Sequence, residues 1–310
     1  MKYLLYGADV RRNDQRSLGN VKPGDLALIW VPETKLLFGF FEIQDRIFYD
    51  ETDLGWTGLW PYRCRLKLWD KYLRTIRDER KAQLMSFVSR ELITLNDLTN
   101  LGGYIHSLLY EEGAKLMSFF LENSEMEVPS SIFSEFGVNA VPAPTPLNFA
   151  SKISPNMAEY NLEMYLLQHY KKLEELVGTG VSELYNMLFG YQRRYLDIMT
   201  VHRNENREPF KTTVIELKIG KLNETSMERA LDELSSYMFW VSDQMKKGKM
   251  PGSPDSVFGI LVSSHSSDVL RDLFRKRLEF YGNQYGIDAN KVHYVSFYIK
   301  ENEPFFKLEG

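Results

Sequence analysis

Cysteine is nearly missing from this chain. Cys64 is the only one in 310 residues, so an intrachain disulfide is excluded and a reducing cytoplasm is the natural compartment. Long apolar runs are missing too. None approaches the ~20 residues needed to span a bilayer, so no membrane is expected. The opening Met-Lys-Tyr-Leu-Leu-Tyr-Gly-Ala-Asp is a short apolar run with charge close behind it; it reads as a first strand rather than a signal peptide. Positive charge is not in surplus. The formal net charge is -4, which excludes a generally basic nucleic-acid coat and leaves local basic patches as the route to such a partner. There is no internal repeat, low-complexity block, zinc motif or recognition-helix motif, so a transcription factor is disfavoured. What remains is an ordinary globular composition, with a length that suits two domains.

The pattern along the chain predicts an α+β protein of two domains. Residues 1–69 read mostly as strands. Val21-Lys-Pro-Gly24-Asp25 is a tight turn leading into Leu-Ala-Leu-Ile-Trp30-Val, and Phe38-Gly39-Phe-Phe41-Glu-Ile follows. Tyr62-Arg63-Cys64-Arg65-Leu-Lys67-Leu alternates basic with apolar or neutral residues. Short strands with Gly and Pro turns predict a small barrel. Helices follow up to residue 124, one of them starting at a Thr94 cap. Met126 to Pro155 contains five prolines and little periodicity, which predicts a linker over 125–154. The second domain, 155–310, opens with a helix over Tyr160–Val177. Two strands, a long helix over Ser226–Met245, a strand, a basic helix over Ser267–Tyr285 and a last strand complete a mixed sheet flanked by helices.

The informative stretch runs from Tyr195 to Tyr237. Tyr-Leu-Asp197-Ile-Met-Thr-Val and Thr-Thr-Val-Ile-Glu216-Leu-Lys218 read as the two strands of a hairpin. Side chains alternate along a strand, so Glu216 and Lys218 share a face. Charges among strand-forming apolar residues are costly unless paired or metal-bound. Two carboxylates held close together repel unless a cation lies between them. Oxygen ligands without a His or Cys cluster favour Mg²⁺ or Mn²⁺ over zinc. Such an ion activates water and neutralises charge on a phosphate oxygen. Lys218 would position or deprotonate that water, or stabilise the charge that develops. Glu163 on the preceding helix would help. The chemistry that fits is metal-assisted hydrolysis of a phosphodiester.

Asp197 and Glu216-Leu-Lys218, preceded by a helix with Glu163, resemble the core of PD-(D/E)XK nucleases. Leu162-Glu163, Ala230-x-x-Glu233-Leu-x-x-Tyr237 and the strand Phe258-Gly-Ile-Leu-Val resemble the NucS-type branch. The resemblance implies a restriction-endonuclease-like fold, a Mg²⁺ site and DNA cleavage. It makes Asp197 and Glu216 the metal ligands, Lys218 the catalytic lysine and Glu163 the helix acid, with Glu233 and Tyr237 as auxiliary residues. Glu233 stands where that family often has Gln, and Tyr195 where the branch usually has Arg.

The first domain, 1–124, has a resemblance of its own. Gly24-Asp25 before Leu-Ile-Trp30, Phe38-Gly39-Phe-Phe-Glu-Ile, and Trp56…Trp60-Pro-Tyr-Arg63 are similar to the EVE/YTH group of PUA-like domains. Leu92-Ile-Thr-Leu-Asn-Asp-Leu and Tyr110-Glu-Glu-Gly113 resemble the closing segment of EVE domains. Members bind nucleic acid, several through a modified base in an aromatic pocket. Trp30, Trp56 and Trp60 are the expected aromatic walls, with Asn13 and Asp14 as polar readers of the base edge. Arg11, Arg12 and Arg63 are the expected phosphate contacts. Together the halves imply a modification-dependent DNA endonuclease. Because one active site cuts one strand, it would act as a homodimer to cut both. The alternatives are a structure-specific DNA-repair nuclease and a nucleic-acid-binding protein without catalysis.

Overall fold

A computed structural model describes residues 5–8, 19–31, 36–46, 48–49, 62–70, 72–76, 78–95, 107–129, 159–189, 195–220, 222–301 and 303–309. Among them are six α-helices and two sheets, a mixed α+β architecture. Contacts along the chain gather into two compact units, Met1–Leu147 and Asn148–Gly310. No helix among the described residues is long and apolar enough to cross a membrane.

The first unit holds seven antiparallel strands: β1 (Leu5–Ala8), β2 (Leu26–Val31), β3 (Leu36–Ile43), β4 (Phe48–Tyr49), β5 (Tyr62–Leu68), β6 (Tyr72–Ile76) and β7 (Glu125–Pro129). Before β2 the chain turns at Gly24, whose φ of 91° is open to glycine at little cost. Asp25 Oδ2 accepts from Lys22 N at 3.0 Å there. The alternation in β5 sends Cys64, Leu66 and Leu68 into the core, while Arg65 on the other side pairs with Asp45. β5 and β6 both run antiparallel to β3, one after the other, in the registers Phe41↔Leu68 and Gly39↔Arg74. The sheet curls into a half-barrel, the coarse shape of the small barrel that its turn spacing predicts. The segment from 125, expected as linker, begins as β7, which pairs with β6 through Leu73↔Val128 and Thr75↔Glu125. An edge strand needs only one partner, and it tolerates Pro129 at its end.

Helices α1 (Lys81–Glu91) and α2 (Tyr110–Asn123) cover this sheet. Leu84, Val88, Leu116 and Phe120 pack on Leu37, Phe40 and Ile76. A buried carboxylate fastens the two helices. Glu112 accepts from Thr94 N at 3.0 Å and Leu109 N at 3.2 Å, and also from Ile93 N and the Thr94 hydroxyl. Thr94, read as a helix cap from sequence, therefore serves the Glu112 carboxylate. The helix expected beyond it lies at residues 96–106, outside the described residues.

The second unit is a six-stranded sheet in sequence order: β8 (Val181–Phe189), β9 (Tyr195–Arg203), β10 (Pro209–Lys218), β11 (Val257–Ser263), β12 (Val292–Lys300) and β13 (Glu303–Leu308). β8, β9 and β10 form an antiparallel meander. β10, β11 and β12 are parallel, and β13 closes the edge antiparallel to β12. Parallel neighbours need a crossover. Helix α5 (Glu224–Lys246) supplies the first and α6 (Asp268–Tyr285) the second. α5 starts in a reciprocal cap: Asn223 Oδ1 accepts from Ser226 N at 2.9 Å, and Ser226 Oγ accepts from Asn223 N at 2.7 Å. The helix seats low on the sheet because β11 carries Gly259, where a Cβ would run into Met238 and touch both Leu234 methyls.

The helix expected over Tyr160–Val177 is two pieces, α3 (Glu159–Gln168) and α4 (Tyr170–Val177). His169 between them leaves helical dihedrals, at φ −109° and ψ 71°. Its ring stacks on Tyr165, and its Nδ1 lies 3.0 Å from the Tyr165 carbonyl. A polar ring thus competes for the last turn of α3. Both helices touch the sheet face opposite α5, through Glu163–Asn186 and through Lys211 Nζ donating to Val177 O.

Removing the Glu112 carboxylate strands several buried donors at once. Glu112→Ala should lower stability by about 3 kcal/mol, whereas Glu122→Ala on the exposed side of α2 should stay within about 0.5 kcal/mol. Urea denaturation of the two variants measures the difference.

Candidate active site

β10 is the inner strand on which the polar centre is built. Its register on β9 pairs Val214 with Met199 and Ile215 with Ile198. The next pair in that series is Glu216 with Asp197, and opposed residues in a ladder project to one face. Asp197 is 6% exposed and Glu216 is 3% exposed. Asp197 Oδ2 accepts from Leu217 N at 2.8 Å, which orients the carboxylate across the hairpin. Lys218, two residues beyond Glu216, emerges on the same face and sets its Nζ 2.5 Å from Glu216 Oε1. Glu216 Oε2 is buried, and no N–H or O–H group among the described residues donates to it.

α5 brings two more groups to this face. Glu233 Oε2 lies 3.2 Å from Lys218 Nζ, and Glu233 Oε1 lies 3.0 Å from Arg229 Nε. One helical turn on, Tyr237 donates from its hydroxyl to Tyr195 O at 3.1 Å. The structure therefore gathers Asp197, Glu216, Lys218, Glu233 and Tyr237. Glu163 takes another position. It is fully buried and accepts from Asn186 Nδ2 at 3.1 Å. Asn186 pairs with Ile198, and Ile198 with Ile215, a series that alternates away from Asp197 and Glu216. The acid of α3 that approaches the lysine is Glu159, whose Oε2 is 3.9 Å from Lys218 Nζ. Sequence reasoning passes over Glu159. Its signal is weak: it starts the helix one turn before Glu163, on the same side.

Burial raises the Glu216 carboxyl well above its ordinary range, and repulsion from Asp197 and Glu233 adds to this against the pull of Lys218. Glu233 goes the other way. Burial would raise it, but Lys218 and the Arg229 hydrogen bond hold it below the usual value. Burial alone would lower Lys218; the surrounding Glu216, Asp197 and Glu159 outweigh it and raise the ammonium. Lys218 is thus held as a cation, placed to donate to water or anionic oxygen. Burial and the nearby Glu216, Glu233 and Asp197 raise the Tyr237 phenol, so it remains a hydrogen-bond donor.

The donor set fits a hard divalent cation of modest protein coordination. Asp197 and Glu216 are adjacent, repel each other, and leave a buried carboxylate oxygen without a donor. Mg²⁺ is commonly held by one or two carboxylates, completing its shell with water and substrate phosphate. Among the described residues no group of three or more His, Cys, Asp or Glu side chains could enclose a metal by itself. The protein would therefore supply only part of the shell.

The first-unit residues stand differently. Trp30 is half-buried against the Leu37–Phe40–Ile76 core. Arg63 is only 2% exposed, which turns its side chain away from solvent. Arg11, Arg12, Asn13, Asp14, Trp56 and Trp60 lie outside the described residues. Against protein-family models, characterised proteins and solved structures, the chain shows no significant match.

A raised folded-state carboxyl weakens the fold as pH climbs from the ordinary carboxylate value toward the folded one, because the unfolded chain releases that proton first. In chelator-treated protein, Glu216→Gln should therefore raise the melting temperature relative to wild type more at pH 8 than at pH 5, by about 3 °C or more. A pH-independent difference in thermal melts would mean that Glu216 ionises normally.

Proposed function

We propose that the protein is a metal-dependent DNA endonuclease that hydrolyses phosphodiester bonds, with the second unit making the cut. The reading is carried by one observation: two buried carboxylates, Asp197 and Glu216, face each other across a hairpin with the Lys218 ammonium beside them. Asp197 and Glu216 would hold Mg²⁺ or Mn²⁺, which supplies Lewis acidity toward a phosphate oxygen and a more acidic bound water. The chain's own groups do the rest. Lys218 keeps its proton and donates to anionic oxygen, where charge grows as water adds to phosphorus. Glu233 fixes the ammonium from α5. Tyr237 anchors α5 to β9.

The PUA-like resemblance of residues 1–124 supports a first unit that selects the substrate, with a modified base as its target. A homodimer would bring two centres to the two strands. In this reading Trp56 and Trp60 stack the base, and Asn13, Asp14, Arg11 and Arg12 are near it; buried Arg63 is the weakest of the phosphate candidates. Glu159 takes the supporting place beside the lysine that Glu163 has in the nuclease resemblance.

Incubation with Mg²⁺ or Mn²⁺ and phage genomic DNAs of differing base modification tests this. Cleavage should stop on chelation, and Asp197→Asn and Glu216→Gln should each lower the rate by about 100-fold or more. Wild-type rates in both variants would end the enzyme reading. Equal cleavage of modified and unmodified DNA would leave a nuclease and remove the selectivity.

A further inference from the structure

The centre carries an excess of negative charge that a polyanionic substrate must meet. Glu159, Asp197, Glu216 and Glu233 contribute four carboxyl groups, and Lys218 and Arg229 two cations. Lys218 is enclosed, with its side chain 20% exposed and its ammonium committed to Glu216 and Glu233. Arg229 is the opposite case. Its side chain is 76% exposed, yet it is tied to the centre. Nε donates to Glu233 Oε1 at 3.0 Å, and the fields of Glu159 and Glu216 also reach it.

The way Arg229 is held matters. A guanidinium has five N–H donors in a rigid fork, and its two-pronged edges match phosphate. Glu233 engages Nε. Among the described residues, the hydrogen bond from Arg229 runs through Nε, and neither Nη group donates one. Arg229 and Glu233 lie one helical turn apart on a capped, well-packed helix, so the fork starts from a fixed base. Lys218, Glu233 and Arg229 form a single run from buried centre to surface.

We infer that Arg229 is a substrate-binding residue, one that grips a backbone phosphate of the strand to be cut and sets that strand over Asp197 and Glu216. This rests on the nuclease reading. Glu233 has two duties in it: it steadies Lys218 with one oxygen and orients the Arg229 fork with the other. The inference also gives a reason for an acid at 233. A neutral amide there would still accept a hydrogen bond but would hold two cations less firmly.

The test is binding of a fluorescently labelled DNA duplex, read by anisotropy over a range of KCl concentrations with Ca²⁺ in place of Mg²⁺. Steady-state cleavage by the same proteins with Mg²⁺ accompanies it. Arg229→Ala should weaken binding about 10-fold and reduce the slope of log K against log salt by about 0.9. It should raise KM and leave kcat near wild type. Arg229→Lys should keep the slope while recovering part of the affinity. Lys247→Ala, at the far end of α5, should change nothing. An unchanged salt slope in Arg229→Ala, with wild type both binding and cutting, would overturn the role of Arg229 and leave the nuclease intact. Wild-type protein that neither binds nor cuts DNA would overturn both.

Discussion

Two carboxylates are forced together by the pairing of β9 with β10, and everything else in the second unit accommodates that. The ladder sets their backbones side by side, and the hydrogen bond from Leu217 N to Asp197 and the Lys218 contact to Glu216 hold the carboxylates there. Their repulsion in a dry setting must be met by cations. Lys218 meets part of it within the same strand. Glu233, another anion, then becomes tolerable because Lys218 and Arg229 hold it on two sides. Desolvation and attraction are both large here and oppose each other. The attraction wins for Lys218 and Glu233, and desolvation with repulsion wins for Glu216.

That balance bears on the role of the lysine. A lysine can act as a base when burial strips its proton. Here the acids around Lys218 act more strongly than its burial, so it remains charged. Of the roles open from sequence, holding water or anionic oxygen is the one that a retained charge favours. Buried centres of this kind are decided by the sum of neighbours, which no tripeptide contains.

Much of the hairpin is legible in the sequence because strand alternation is a local rule. Glu216 and Lys218 must share a face whatever surrounds them, and the β-branched flanks of Asp197 mark its strand. The long helix is equally legible, and its Glu233/Tyr237 spacing of one turn carries through to two contacts on one side. Which helical acid meets the lysine is not local. It depends on how α3 slides against the sheet and on where His169 breaks it, and these bring Glu159 rather than Glu163 toward Lys218. In the first unit, the alternation of Cys64, Leu66 and Leu68 with basic residues reads directly as one buried face. β7 and the Glu112 cluster do not read so easily. A proline-rich segment looks like linker until a partner strand offers it an edge, and Glu112 gathers most of its donors from Ile93 and Thr94, 19 and 18 residues back in the chain.

Gly259 sets the height of α5 above the sheet, and through it the length of ion pairs that glycine never touches. The absence of one methyl group at 259 lets Leu234 and Met238 settle onto β11. Glu233 is the residue just before Leu234, and Tyr237 the one just before Met238. The helix thus works like a shim whose thickness is read in electrostatic contacts on its other flank. Coulomb attraction between charged groups falls with separation, so a few tenths of an ångström of packing at 259 become a change in how tightly Lys218 is held. The apolar underside of the helix therefore sets the calibration of the charged centre.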